Sequence, residues 1–309
     1  MTAQARRGGP IVARYALLLA GVTGLSWAGI FYSLAHAPPI AMVAYRSLFA
    51  AVLILPLVLI GRWSGSRDTA ARFGGRDIAL STIAGALFAA DLTLWAVGIR
   101  FTTVSSAMLM VSTDPIWIAL FSALFFAERP RPLAIVGIAV AVCGTAIVAG
   151  MDLRVSGTAL LGDGLALAAA LVETWYLLLG RRVRMRVDAP RYATIVYAAC
   201  AACMWIAMFA SGTSPAVSLH DLGFALLLAL VVTVGGHTLI SHSLGLMPAT
   251  VVGVAILAQP PIAALLAYLF LHQTIPLTTA VGGLVALMGL GIVAYANELK
   301  SPGIEAGAI

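Results

Sequence analysis

The sequence predicts an all-α polytopic membrane protein, with ten transmembrane helices arranged as two inverted five-helix repeats. Three observations predict it. The 309 residues are 61% hydrophobic and 10% charged, with a mean hydropathy of +1.03, whereas soluble domains carry about 25% charged residues. That much apolar side chain requires lipid as its solvent. Apolar stretches of membrane-spanning length recur ten times along the chain. Finally, a block of the first half returns in the second at a constant offset of 145: Asp114-Pro115 falls on Gln259-Pro260, Ala127-Glu128 on His272-Gln273, Gly137 on Gly282, Gly144 on Gly289 and Ala149 on Ala294. A duplicated membrane unit is a signature of secondary transporters and points to a substrate site between the halves.

Each stretch is close to the ~20 residues that cross ~30 Å of hydrocarbon. The first spans 14–33, after Arg14, and the second 39–60, between Pro39 and Gly61-Arg62. The third, 77–98, opens on Asp77 and closes on Gly98; the fourth, 102–126, ends before Glu128-Arg129; the fifth, 132–150, opens on Pro132. The sixth, 159–180, stops at Arg181-Arg182; the seventh covers 191–210, the eighth 221–244, the ninth 248–271 and the tenth 276–296. Connections are short except for 61–76 and 181–190. Residues 1–13 and 297–309 are tails, and the two units occupy 14–150 and 151–296.

Positive charge orients the spans. With the N-terminus in the cytoplasm, cytoplasmic segments hold 15 of the 18 basic residues. Outer loops hold only Arg100 and Arg154, and Arg46 is intramembrane. The net charge of +6 therefore reports topology and contact with anionic membrane lipid, not a nucleic-acid partner. Both termini are cytoplasmic. Five helices per unit start the first unit inside and the second outside, so the repeats are inverted. Cys143, Cys200 and Cys203 lie in apolar runs and read as small filler, with no metal or cofactor implied. No cleavable signal peptide is visible.

The run from Trp95 through Gly98, Arg100, Thr103 and Ala107 resembles the third-to-fourth-helix region of EamA-type members of the drug/metabolite transporter superfamily. Mid-helix Asp114-Pro115, Phe125-Phe126-Ala127-Glu128-Arg129 and Ala44-Tyr45-Arg46 fit as well, while Gln273 stands where that family usually has Glu. Within the superfamily, the overall pattern most resembles bacterial aromatic amino-acid exporters. The resemblance implies ten helices, a central cavity, alternating access and export of small metabolites. It also implies rocking of helices 1, 3, 4, 6, 8 and 9, with helices 5 and 10 as supports.

An ionisable residue at bilayer depth costs roughly 2.5–3.5 kcal/mol, so each needs a partner, water or a function. Asp114 precedes Pro115 at the centre of helix 4, and Gln259 precedes Pro260-Pro261 at the matching point of helix 9. Proline removes a backbone donor and frees carbonyls; the two sites line a cavity or act as hinges at Pro115 and Pro260. Asp91 and His237, one position from repeat equivalents, bind a substrate ammonium, carry a coupling proton or tie helices together. Glu173 lies two turns inside helix 6 beside Trp175 and Tyr176, near the repeat equivalent of Trp27. Trp27 and Trp175 are read as stacking walls for a flat or cationic substrate, with interfacial anchoring as the alternative. Trp95, Trp117 and Tyr45 are more ambiguous. Arg46 is expected to snorkel to the outer interface and stabilise the end of helix 2 through a pair with Asp91, with attraction of a substrate carboxylate as the alternative. Glu128 reads as a cap for helix 5. The glycines at 137, 144, 282 and 289 put one small face on helix 5 and one on helix 10 for close packing.

No Walker A, HExxH or GxSxG motif occurs, so ATP-driven transport by this chain alone and enzymatic chemistry are not expected. The expected function is secondary export of small amphipathic metabolites, aromatic and neutral amino acids foremost, with proton-coupled export of cationic drugs as the alternative. The expected partners are the small-molecule substrate and membrane lipid. A monomer is favoured over a homodimer. Arg-rich usage with one Lys points to a bacterial inner membrane.

Overall fold

The computed structural model describes residues 11–63, 74–98, 100–102, 107, 110–125, 130–149, 157–272, 275 and 277–298. Every regular element among them is helical. Eight helices are long and apolar enough to cross a membrane, and two apolar helices are shorter. In chain order they are α1 (Ile11–Leu34), α2 (Pro39–Trp63), α3 (Gly75–Gly98), α4 (Asp114–Phe125), α5 (Pro132–Ala149) and α6 (Gly157–Arg184). Then come α7 (Ala189–Ala210), α8 (Leu219–Leu244), α9 (Ala249–Leu271) and α10 (Leu277–Glu298). Glu128 and Gln273 lie outside the described residues.

Local chemistry sets the ends. Asp188 caps α7 by accepting the Arg191 amide at 3.0 Å, with Pro190 in the first turn, where its missing N–H leaves no helical bond unmade. Ser218 caps α8 by accepting the Asp221 amide at 3.1 Å. Helix α6 runs to Arg184, beyond the predicted end at 180. Its closing turn carries Arg181, Arg182 and Arg184, whose charge complements the carbonyl end of the helix dipole. The Arg184 guanidinium also donates to the Ser241 carbonyl at 2.8 Å and to the Val187 carbonyl.

Among the described residues four helices are irregular: α1, interrupted at Trp27, α4 and α9, broken at the prolines as the sequence predicts, and α8. The predicted fourth helix, 102–126, turns at Ser112–Thr113, and α4 begins afresh at Asp114. Pro115 has no N–H for the preceding turn, and its ring crowds the carbonyl four residues back; the Ile116 amide bonds instead to the Thr113 carbonyl at 2.9 Å. Helix α9 breaks at Leu257–Ala258, immediately before Gln259-Pro260-Pro261. Asp114 and Gln259, matched in the sequence repeat, are thus each the first residue after a break. In α8, Leu228–His237 is wound as a π-helix. There the Thr233 hydroxyl donates to the Leu228 carbonyl, five residues back, at 3.2 Å. π-segments are uncommon and gather at functional sites. No sequence pattern here foretold it.

Small residues let the helices approach. Helices α5 and α10 pack along most of their length. A Cβ on Gly137 would sit 2.9 Å from the Gly289 carbonyl oxygen, and one on Gly144 would meet the backbone of Ala286. Helix α3 meets α6 where a Cβ on Gly162 would sit 2.8 Å from the Gly98 oxygen. Helix α1 meets α8 at Gly24 and Gly236, the former leaving 3.1 Å between its added Cβ and the Gly236 Cα. Helix α2 packs on α7 and α8, α3 on α7, α4 on α6 and α9, and α1 on α9.

The α5–α10 contact yields a prediction. Gly144→Leu, or Gly289→Leu, places side-chain atoms on backbone that has no room to shift, and overpacking costs about 1–3 kcal/mol or more. Either variant lowers the melting temperature or the monodisperse yield in detergent. Gly291→Ala, where an added Cβ meets nothing within 4 Å, leaves both unchanged or slightly improved.

Candidate functional site

The charged residues of the spans converge. Asp114 starts α4, and its carboxyl lies in hydrogen-bonding contact with that of Glu173 on α6. Asp91 on α3 is within electrostatic reach of both acids and of Arg46 on α2. Arg46 is in turn within reach of His237, the last residue of the π-segment. Asp114 and Arg46 are buried, whereas Asp91, Glu173 and His237 are half-buried. A cavity of about 190 Å³, lined by Arg131, Arg181, Pro248 and Asn297 among others, lies at the helix ends away from this cluster.

Two carboxyl groups in contact require a proton between them, because an ionised carboxylate only accepts. Asp114 Oδ1 is buried with no N–H or O–H donor on it among the described residues. The contact joins an acid of the first half of the chain to one of the second. Asp114 also occupies the first turn of α4, where free amides and the helix dipole favour negative charge.

Arg46 departs from expectation. Its residue is 3% exposed, so the side chain does not snorkel to an interface. Its Nε donates to Thr233 Oγ1 of the α8 π-segment at 2.7 Å. The Tyr197 hydroxyl donates to the Thr233 carbonyl at 2.9 Å, tying α7 to the same turn. Among the described residues Arg46 and Asp91 form no direct ion pair. A charge acting over a gap leaves both groups available to a third.

Aromatic residues frame the cluster. Phe88, three residues before Asp91, stacks on Tyr176 at 5.0 Å between centroids and meets His237 edge-on at 4.7 Å. Trp175 stacks on Phe121 at 5.1 Å and contacts Phe125 of α4 at 5.3 Å. Trp27, at the interruption of α1, contacts Phe270 of α9 at 4.8 Å and stacks on Phe31 at 5.5 Å. The two tryptophans thus belong to separate aromatic clusters and do not share a wall. Trp95 lies one turn beyond Asp91 and has no aromatic ring partner among the described residues. Gln259 is half-buried, and its carbonyl accepts the Ser26 hydroxyl of α1 at 3.2 Å. Pro115 is buried and Pro260 half-buried, each one residue past its helix break. Tyr45 turns to Trp205, at 5.2 Å, and to the Pro215 carbonyl.

The structure brings Asp91, Asp114 and Glu173 together, with His237 and Tyr176 alongside. Trp27 and Gln259 sit on the α1–α9 side. Phe88, Phe121 and Thr233 are members that sequence reasoning missed. Phe88 was accessible through its three-residue spacing from Asp91, which shares a helix face. Thr233 carried no signal, since its role depends on the π-winding.

A helical bundle with membrane-length apolar helices and a buried charged cluster defines a multi-pass membrane protein. The chain belongs to the EamA-like transporter family, whose family model matches residues 12–150 and again 160–295. That is a family of transporters, not of enzymes. The chain is similar to an uncharacterised transporter of Archaeoglobus fulgidus, 25% identical over 283 residues and covering 88% of this chain and 95% of that protein. A crystal structure of a protein aligns with a TM-score of 0.76 at 17% identity, covering 94% of this chain and 99% of that chain, and so has the same fold.

Thr233→Val keeps the shape but leaves Arg46 Nε without its acceptor. Hydrogen bonds to charged groups contribute about 1.5–3 kcal/mol, and we expect a destabilisation of that order. Thermal unfolding in detergent checks it; Thr233→Ser, which keeps the hydroxyl, retains most of the wild-type stability.

Proposed function

We propose that this chain is a secondary transporter exporting small amphipathic metabolites that carry an ammonium group, aromatic and other neutral amino acids foremost, in exchange for protons. The observation that carries the reading is the Asp114–Glu173 carboxyl contact across the two halves of the chain. An ammonium entering between these carboxyls replaces the shared proton charge for charge. Asp91 adds a second acceptor, and Arg46, which pairs directly with no carboxylate among the described residues, receives a substrate carboxylate as a bidentate partner. Phe88 and Tyr176 supply apolar and aromatic surface beside them. A scarcity of further cations in the spans disfavours polyanionic substrates. The choice of aromatic amino acids rests on the overall resemblance of the sequence.

Alternating access is supported by a correspondence between the halves. Helix contacts recur when each helix is exchanged for the one five places along: α3–α6 with α1–α8, α3–α7 with α2–α8, and α4–α6 with α1–α9. The aromatic clusters correspond too, Trp175 on Phe125 and Trp27 on Phe270, the two phenylalanines being 145 residues apart. In ten inverted-repeat spans, these clusters fall toward opposite membrane faces and close the cavity in alternation. The positive-inside pattern supports cytoplasmic termini, and composition supports a bacterial inner membrane. A family model that matches twice, over 12–150 and 160–295, supports a reading of two units at 14–150 and 151–296.

A second reading, export of organic cations, is favoured by one observation: three carboxyl residues face a single arginine in the cluster.

Flux of labelled tryptophan and phenylalanine in proteoliposomes, with and without an imposed pH gradient, tests the proposal. We expect flux that the gradient accelerates several-fold and that other aromatic amino acids compete. Glu173→Gln and Asp114→Asn, if monodisperse, lose the gradient response. No flux of either amino acid by folded protein withdraws the amino-acid reading, and ethidium flux in the same vesicles then supports the organic-cation one. An intact gradient response in both variants refutes coupling at this pair.

A further inference from the structure

Away from the central cluster, His36, His220 and Asp221 meet at the end of the bundle where the α1–α2 connection reaches the start of α8. We propose that these three residues form a binding site for a divalent transition-metal cation of the zinc class.

Each residue contributes one ligand atom, and the three atoms lie within 4.8 Å of one another. His220 Nδ1 is 3.7 Å from Asp221 Oδ1. A cation held at ~2.0–2.2 Å by nitrogen and oxygen donors needs the donors slightly closer than this. Both histidines are exposed, so their imidazoles rotate inward without displacing packed neighbours. The carboxylate is already fixed. Asp221 is 4% exposed; its Oδ1 accepts the His36 amide at 2.8 Å and its Oδ2 accepts the Ser218 hydroxyl at 2.7 Å. Outer hydrogen bonds of this kind orient a metal ligand; the Ala37 amide and the His220 side chain also donate to this carboxylate, and a cation would take the place of the His220 bond. The imidazole centroids are 5.2 Å apart with the rings tilted by 33°, and His220 is braced edge-on by Phe224 at 4.9 Å. Two imidazoles and one carboxylate suit zinc, with water completing a four-coordinate shell. The ordinary role of Asp221, capping α8 and anchoring the connection through the His36 amide, explains the carboxylate and the meeting of the two backbones, but it does not require an imidazole at either 36 or 220.

Occupancy would join the two halves at one end. Phe224, against His220, lies 6.4 Å from Phe31, which stacks on Trp27. A bound cation therefore fixes α8 beside the Trp27 aromatic cluster.

Titration calorimetry of tag-free, full-length protein with Zn2+, and separately with Co2+, tests the site without any transport assay. The expected result is one ion per chain, with a raised melting temperature on Zn2+ addition. His36→Gln or His220→Gln weakens binding about tenfold or more, and the double variant abolishes both the binding and the thermal shift. His242→Gln, at the opposite end of α8, changes neither. The exposed positions of His36 and His220 make the double variant one that folds, and size exclusion verifies this. Absence of stoichiometric binding to wild type, or wild-type affinity in the double variant, overturns the proposal.

Discussion

Two carboxyl groups in contact inside a membrane bundle constrain everything around them. The surrounding hydrocarbon offers no water to separate like charges, so the pair needs a proton or a cation between its oxygens. Asp114 comes from the first half of the chain and Glu173 from the second. Any motion that parts the halves changes what the pair can hold. Nearby architecture serves that contact. The break at Ser112–Thr113 sets Asp114 on the first turn of α4, and α6 presents Glu173 against it. The π-segment of α8 supplies Thr233 to fix Arg46 within reach of Asp91 without pairing them.

Close packing makes this possible. Glycine contacts at α5–α10, α3–α6 and α1–α8 bring backbones together, where lipid exerts no hydrophobic drive between helices. The partners are thus set by shape. Polar side chains bridge the helices as well: Ser26 to the Gln259 carbonyl, Arg46 to Thr233, Tyr197 to the Thr233 carbonyl. These bonds join helices of different halves or cross the π-segment, where a helix deviates from its regular ladder.

Helix positions were legible in the sequence because each is a long apolar run ended by charge, Gly or Pro. The predicted 191–210 and 221–244 differ from α7 and α8 by two residues at one end. The acids were legible as candidates, since a charge at bilayer depth stands out. Their meeting was not: the spacing between Asp114 and Glu173 carries no information about a contact between helices separated by a fifth helix and a connection. Arg46 was misread for a related reason. Depth along its own helix suggested snorkelling, but burial depends on α7 and α8 packed over it, which one helix does not reveal. Trp27 and Trp175 were read as an aromatic pair near equivalent points of the two units. Their actual partners, Phe270 and Phe125, come from the opposite half, and equivalence within a repeat says nothing about contacts between repeats.

The central claim is that a substrate ammonium displaces the proton shared by Asp114 and Glu173. Calorimetric titration of the purified protein with tryptophan, in buffers of differing ionisation enthalpy, counts the protons released per molecule bound. The account predicts release of about one proton by the wild type, since one cation replaces another, and none by Glu173→Gln. Tryptophan bound with no proton released, or with the same release from Glu173→Gln, would contradict it.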